Sequence, residues 1–116
     1  MTTQELSSYL KESPKDWPEP FMQFVDDFRR DPSPDYIAAQ GETAGERLDA
    51  LQAGMIESLC DEFSLDKPLW LRNIPPCKDP WFVSGMESLK AIALAESPVQ
   101  FRRRKVFVLA NFLSRA

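Results

Sequence analysis

The sequence predicts a mainly α-helical fold, a compact bundle of about five to six helices, on three observations. Apolar residues recur every three or four positions along several stretches, and helix-start patterns precede four of them. Ten prolines stand against four glycines, which favours helices with sharp ends over flexible linkers. At 116 residues, with 43% hydrophobic and 28% charged residues, we expect one globular domain over residues 1–116.

Two helices are expected before residue 32, followed by a short one. The pattern Thr2-x-x-Glu5 fits a capping box and predicts a helix over about 3–11. A second helix ends before Pro32, and a short helix is expected over 34–39. The second helix carries an i, i+3, i+4, i+7 stripe that we expect to be buried, formed by Phe21, Phe24, Val25 and Phe28.

The longest helix is expected over about 44–63, with Thr43-x-x-Glu46 as its capping box. Its predicted core positions are Leu48, Leu51, Met55, Leu59 and Phe63. Gly54 lies inside this helix, where glycine is less favourable than alanine by about 1 kcal/mol. Because glycine has no side chain, we expect that another helix approaches closely at this position.

Residues 66–82 contain four prolines, so a regular helix is excluded there. The segment is nevertheless rich in large apolar side chains, namely Leu69, Trp70, Leu71, Ile74, Trp81 and Phe82. We expect an extended segment that crosses the helices with these side chains buried. A helix should follow over 85–96 behind Ser84-x-x-Glu87, with Met86, Leu89, Ile92 and Ala93 facing inward.

The tail begins with Ser97-x-x-Gln100 and predicts a short helix over 98–104. Residues 106–109 are the one β-like run in the chain and could equally continue as helix. Because no second strand of similar quality is visible, we favour helix for this run.

Charge is distributed unevenly along the chain. Residues 1–66 carry fifteen acidic and five basic residues, whereas residues 67–116 carry three acidic and nine basic ones. This is either an unevenly charged solvated surface or two surfaces for different partners. In the second interpretation, the long helix presents an exposed acidic docking face formed by Glu46, Asp49, Glu57, Asp61 and Glu62.

The residues present exclude most familiar catalytic chemistry. The chain has no histidine, and its two cysteines are too few for a disulfide framework or a metal site. No glycine-rich phosphate-binding motif occurs. Neighbouring carboxylates on a helix point about 100° apart, so the acidic pairs do not converge. We expect no catalytic residues, no metal and no cofactor. The absence of a signal peptide or an apolar membrane span favours a cytoplasmic protein with reduced thiols.

The densest positive run consists of Arg102, Arg103, Arg104 and Lys105. Flanking aromatics would allow it to hold phosphates and stack bases. However, a sequence pI near 4.8 is unusual for a dedicated nucleic-acid binder. A salt-bridging surface, inside the chain or toward a partner, is the interpretation that we favour.

Several segments of the C-terminal half occur in a characteristic order: Pro68-Leu-Trp70, Asp79-Pro-Trp-Phe82, Glu96 to Arg104, Val106-Phe-Val108 and Asn111 to Ala116. This layout resembles small uncharacterised bacterial and archaeal proteins encoded beside nucleotidyltransferase-like toxins. The resemblance covers residues 67–116, and Lys105 stands where that group has asparagine. It implies an antitoxin or accessory role and supplies no catalytic residues.

Together these observations predict a non-catalytic protein-interaction module. Its acidic helical face would mask the basic groove of a partner, for which the resemblance suggests a nucleotidyltransferase-like toxin. The alternative is a nucleic-acid-binding or autoregulatory protein that uses residues 102–105. A homodimer through the aromatic segment 66–82 is a further prediction.

Overall fold

Five α-helices and two short strands form most of the regular structure of residues 1–114, the part of the chain that the computed structural model describes. The helices are α1 (Thr3–Glu12), α2 (Pro18–Arg30), α3 (Glu46–Phe63), α4 (Lys90–Glu96) and α5 (Val99–Arg102). The strands are β1 (Trp81–Phe82) and β2 (Val106–Phe107). Single 3-10 turns lie at Pro14–Asp16, Pro34–Ile37, Leu69–Asn73 and Glu87–Leu89. The predicted mainly α, compact fold is confirmed.

Helix α3 forms the centre of the molecule. It contacts α2, α5 and β2, and every residue from 50 to 57 is buried. Except for Ala93, the buried apolar side chains of the described residues form one continuous cluster around it. The radius of gyration is 13.3 Å, close to the ~13 Å expected of a compact chain of this length.

Helices α1 and α2 form as their local sequence signals predict. Thr2 and Glu5 make the reciprocal hydrogen bonds of a capping box, and α1 runs one residue beyond its expected end. The whole predicted stripe of α2 is buried, and α2 ends at the residue before Asp31. The helix predicted over 34–39 is a shorter 3-10 turn.

The start of α3 differs from the prediction. The helix begins at Glu46, because Gly45 precedes it with a φ of 106°, a conformation that favours glycine. The predicted Thr43–Glu46 capping box does not form. Instead, the Asp49 carboxylate accepts hydrogen bonds from the Ala44 backbone N–H at 2.8 Å and from the Thr43 hydroxyl.

Gly54 allows α5 to approach α3 closely, as predicted. A β-carbon at this position would lie 2.7 Å from Cδ1 of Phe101, which is fully buried. The close approach brings the residues that follow Phe101 over the C-terminal half of α3.

Residues 106–109 do not continue as helix. Val106 pairs with Trp81 and Phe107 with Phe82 in a parallel two-stranded sheet. The Trp81 N–H donates to the Lys105 carbonyl at 2.9 Å. The expectation of helix was wrong because the partner strand lies inside the proline-rich segment and is only two residues long.

The segment 66–82 is buried unevenly. Leu71 is buried and Trp70 is half-buried, and the Trp70 indole N–H donates to the Ile37 carbonyl at 2.9 Å. Leu69, in contrast, is 74% exposed, so its predicted role as a buried anchor is wrong. Trp81 is half-buried and lies under the guanidinium of Arg47, 5.6 Å from the ring centroid.

The helix predicted over 85–96 begins only at Lys90, after a 3-10 turn. Ala93 is its one buried residue, whereas Met86 and Ile92, expected to face inward, are 56% and 45% exposed. The Ser84 hydroxyl accepts from the Met86 N–H and does not form the predicted capping box.

The tail helix is shorter than the predicted range of 98–104, since α5 has only four residues. Ser97 does not cap it. The buried Ser97 hydroxyl donates to the Val108 carbonyl at 2.9 Å and accepts from the Val108 N–H at 2.7 Å. This serine therefore ties the end of α4 to the residue after β2. No helix of residues 1–114 has both the length and the apolar character needed to cross a membrane.

Candidate functional site

Glu57, near the middle of α3, accepts most of the ion pairs between the two halves of the chain. Arg103 Nη2 donates to its Oε2 and Arg104 Nη1 to its Oε1, the latter at 2.9 Å. Lys67 Nζ lies 3.7 Å from Oε2. The side chain of Glu57 is only 7% exposed, so the prediction that it belongs to an exposed docking face is wrong. The physical reason is that Gly54, one turn earlier, admits Phe101 and so places Arg103 and Arg104 over it.

Asp61, one turn after Glu57, is exposed but also has partners within the chain. Its carboxylate accepts from Gln100 Nε2 at 2.7 Å and lies 2.9 Å from Lys67 Nζ. The Gln100 hydrogen bond lowers the pKa of Asp61, and Lys67 lowers it further, against an opposing effect of burial.

The other three predicted docking residues also have partners in the described chain. Glu62 pairs with Arg29, with an Nη2 to Oε1 distance of 2.9 Å, and Glu46 accepts from the Lys78 backbone N–H. Asp49 holds the loop before α3 as described above. The structure therefore does not bring these five acids together as an unoccupied acidic face.

The basic run divides into two parts. Arg103 and Arg104 bind Glu57, so the salt bridge within the chain that the sequence analysis favoured is present. Lys105 is exposed, and its Nζ lies 3.4 Å from the Lys78 carbonyl. Arg102 is exposed and makes no side-chain hydrogen bond or ion pair within residues 1–114.

Arg104 is the most enclosed cation of this group, with 12% of its side chain exposed. Burial lowers the pKa of its guanidinium, and the Glu57 carboxylate opposes that effect. Nη1 donates to Glu57 and lies 3.4 Å from the Gln100 carbonyl. Nε is buried and has no acceptor among the residues that the structure describes. An unsatisfied buried donor costs about 1–3 kcal/mol.

Beside this cluster lies an open cavity of about 440 Å³, which we call the cationic cavity. Its lining consists of Glu57, Lys67, Pro68, Leu71, Arg72, Ile74, Pro76, Arg103 and Arg104. Four cationic side chains therefore surround one carboxylate, with proline, leucine and isoleucine between them. The sequence analysis singled out neither Lys67 nor Arg72. The signal for them was weak, because they are isolated bases in a proline-rich segment.

Two further grooves are lined by consecutive residues, Asp16 in the first and Trp17 in the second. The first, of about 380 Å³, is called the acidic groove and is lined by Met1, Tyr9, Glu12, Ser13, Asp16, Glu19, Pro20 and Gln23. The second, of about 400 Å³, is called the apolar groove and is lined by Trp17, Val83, Ser84, Ala93, Phe107, Val108, Leu109, Asn111 and Phe112.

Neither cysteine is arranged for nucleophilic chemistry. Cys60 and Cys77 are both buried and unpaired. Burial raises the pKa of the Cys60 thiol to about 11, and burial also raises the pKa of Cys77. Both thiols are thus protonated near neutral pH, where the thiolate is the reactive form. Within residues 1–114, no group of three or more cysteine and carboxylate side chains is placed to hold a metal ion.

No protein-family model, curated protein or solved structure matches the chain. The resemblance of residues 67–116 to toxin-associated proteins stays a prediction, and its last two residues lie outside the described part of the chain.

Proposed function

We propose that this chain is a non-catalytic protein-interaction module that binds a basic, partly apolar segment of a partner protein. The observation that carries this proposal is that two consecutive residues line grooves of different character, Asp16 the acidic groove and Trp17 the apolar groove. A partner segment that contacts both grooves would place cationic side chains in the first and apolar side chains in the second.

The acidic groove has charges that are still available to a partner. Glu12, Asp16 and Glu19 are exposed, and their side chains form no hydrogen bond or ion pair within residues 1–114, whereas each of the five acids of α3 has a partner there. Met1 also lines the groove, and its α-amino group lies 3.8 Å from the Asp27 carboxylate. Tyr9 is 52% exposed beside these acids and offers a ring face to a cation.

The apolar groove supplies the part of the surface that can bury aromatic or aliphatic side chains. Trp17 and Phe112 are half-buried in its wall, with ring centroids 6.3 Å apart. Helix α4 contributes Ala93 to the groove and carries the exposed Ile92 and Leu94 on either side of it. Aromatic side chains in such pockets dominate binding energy, while the charges set association rate and partner choice.

The identity of the partner is proposed from the resemblance. A nucleotidyltransferase-like toxin that acts on RNA would have a basic substrate groove. The acidic groove residues are better candidates to enter it than the acids of α3, because those of α3 already have partners within the chain. This moves the proposed contact away from the face that the sequence analysis predicted.

The test is co-expression with the product of the adjacent gene, followed by size exclusion and titration calorimetry. We expect one joint peak at micromolar concentration. Reversing Glu12, Asp16 and Glu19 to lysine should weaken binding at least tenfold, because it removes the complementary charge. Two separate peaks for the wild-type proteins would contradict the proposal.

The matched control reverses the same number of charges elsewhere, at Asp35, Asp66 and Glu96, which are exposed and lie outside the acidic groove. Both triple variants have the same net charge, so a general charge effect weakens both equally. A loss confined to the groove variant supports the site. An equal loss in both variants excludes it.

The nucleic-acid alternative is favoured by one observation, the exposure of Arg102 and Lys105. The observation is weak support, because Arg103 and Arg104, which lie between these two residues in the sequence, bind Glu57. Fluorescence anisotropy with duplex DNA and with RNA at two salt concentrations discriminates, since phosphate binding depends strongly on salt. The same size-exclusion runs report whether the chain alone is a homodimer.

A further inference from the structure

We propose that the cationic cavity is a binding site for a small organic anion, a carboxylate or a phosphate monoester attached to an apolar body. None of its lining residues belongs to the acidic or apolar groove. The proposal therefore stands or falls independently of the proposed function.

The charge of the lining selects for an anion. Lys67, Arg72, Arg103 and Arg104 contribute four positive charges, and Glu57 contributes one negative charge, so the lining has a net charge of +3. Glu57 is already shared among three of these cations. Arg72 is exposed and makes no side-chain hydrogen bond or ion pair within residues 1–114, so it is available to a ligand.

Arg104 provides a second, independent indication of a missing acceptor. Its Nη1 is occupied by Glu57, whereas its buried Nε has no acceptor in the described chain. Guanidinium groups bind carboxylate and phosphate through two parallel N–H donors. Arg104 is one of the residues that line the cavity, so an oxyanion bound there would lie beside a guanidinium that has an unused donor.

The remaining lining determines what the anion carries. Pro68, Leu71, Ile74 and Pro76 form apolar wall between the cations. A volume of about 440 Å³ lies within the ~300–1,000 Å³ typical of small-molecule sites. Inorganic phosphate alone would leave this wall in contact with water, whereas a ligand with an aromatic or aliphatic body would cover it.

The experiment titrates the full chain with four probes and monitors the amide chemical shifts during each titration. Phenyl phosphate and benzoate represent the two anion types, and inorganic phosphate and benzylammonium are the controls for the apolar body and for charge. We expect saturable shifts in residues 67–76 and 100–105 with one or both aromatic anions. Inorganic phosphate should bind at least fivefold more weakly than phenyl phosphate, and benzylammonium should not bind.

Two arginines provide a matched pair of variants. Arg72→Gln removes a cavity cation that has no partner within residues 1–114, so folding should be unaffected. Arg102→Gln removes an equally exposed arginine of the same chain that does not line the cavity. We expect Arg72→Gln to weaken the aromatic anion about tenfold, the effect of one charge-assisted hydrogen bond, and Arg102→Gln to change it less than twofold.

Three results would overturn the proposal. The first is equal weakening by both variants, and the second is equal affinity for phenyl phosphate and inorganic phosphate. The third is the absence of saturable shifts with either aromatic anion at ten times its expected Kd, which is roughly 0.1–1 mM for a ligand of this size. The triple lysine variant of the acidic groove should bind the anion like the wild type, which separates this test from that of the proposed function.

Discussion

Helices α3 and α4 are both rich in apolar residues, yet they have opposite environments. Helix α3 buries every residue from 50 to 57, including a glutamine and a glutamate, whereas α4 buries only Ala93. Helix α3 is enclosed by α2, α5 and β2, while α4 packs chiefly on β2 and the turn before it. The difference shows that an apolar stripe is buried only where other elements of the chain are available to cover it.

The same contrast applies to charge. Glu57 on α3 is enclosed and paired with two arginines, whereas Glu87, just before α4, is 87% exposed and pairs with Lys90 across one turn. Enclosed charges must be matched, because an unpaired one is costly, and exposed pairs contribute little. Four measurements test whether enclosure determines what each of these side chains contributes to stability.

The largest effect is expected from Glu57→Ala. It leaves Arg104 enclosed without its carboxylate and should lower the free energy of unfolding by about 3–5 kcal/mol. The control is Glu62→Ala on the same helix, which breaks an exposed pair with Arg29 and should cost less than about 1 kcal/mol. Urea unfolding measures the free energy of unfolding of both variants. Similar losses would show that the enclosure of Glu57 does not determine how much stability is lost when it is removed.

A pH effect should appear at Cys60, which is fully buried in α3. Its pKa is raised from 9.0 to about 11 in the folded protein, so the unfolded chain loses this proton first as pH rises. The stabilising contribution of the neutral thiol is full below pH 9 and is lost between pH 9 and 11. This difference in pKa corresponds to about 2–3 kcal/mol in the free energy of unfolding.

The measurement for Cys60 is the urea midpoint at several pH values for the wild type and for Cys60→Ala. The variant removes this one titration and leaves the lysines and tyrosines in place, so its curve should fall less steeply above pH 9. Parallel curves for the two proteins would contradict the prediction.

Gly54→Ala tests how tightly α3 is enclosed. The added β-carbon would meet Phe101 at 2.7 Å and the Gln100 carbonyl oxygen at 3.3 Å. Overpacking should outweigh the gain in helix propensity and lower the free energy of unfolding by about 1–2 kcal/mol. A double-mutant cycle with Phe101→Leu should recover part of the loss, and a stabilised single variant would show that α5 can move away freely.

The smallest effect is expected on α4. Ile92→Ser and Leu94→Ser replace side chains that are 45% and 51% exposed, and each should change stability by about 0.5 kcal/mol or less. Leu51→Ser on α3, fully buried, is the matched control and should cost at least about 3 kcal/mol. A large loss at either α4 position would mean that this helix is less exposed than the structure shows.

Local signals were sufficient where several of them agreed. The capping box predicted α1, and the apolar spacing predicted the buried face of α2, although α2 begins at Pro18, inside a segment that was expected to be a connector. The spacing of Leu48, Leu51, Met55 and Leu59 placed α3 within two residues of its observed start. Strand β2 was missed because its pairing needs β1, two residues long and more than twenty positions away. A strand of that length has no periodicity to detect.

The candidate sites were less predictable than the fold. The sequence showed the acids of α3 and the basic run as separate features, but Glu57 and Arg104 meet across 47 positions of chain. The isolated bases Lys67 and Arg72, and the positions of Asp16 and Trp17 in two different grooves, had no distinguishing local pattern.

By itself, the sequence determined the helical class of this protein, the absence of histidine chemistry and the separation of acidic and basic halves. Only the tertiary structure decided that the two halves neutralise each other at Glu57 and that α4 stays exposed. The physical reason is that periodicity defines which residues share a face of a helix, whereas the elements packed against that face decide whether its charges are paired within the chain or left for a partner.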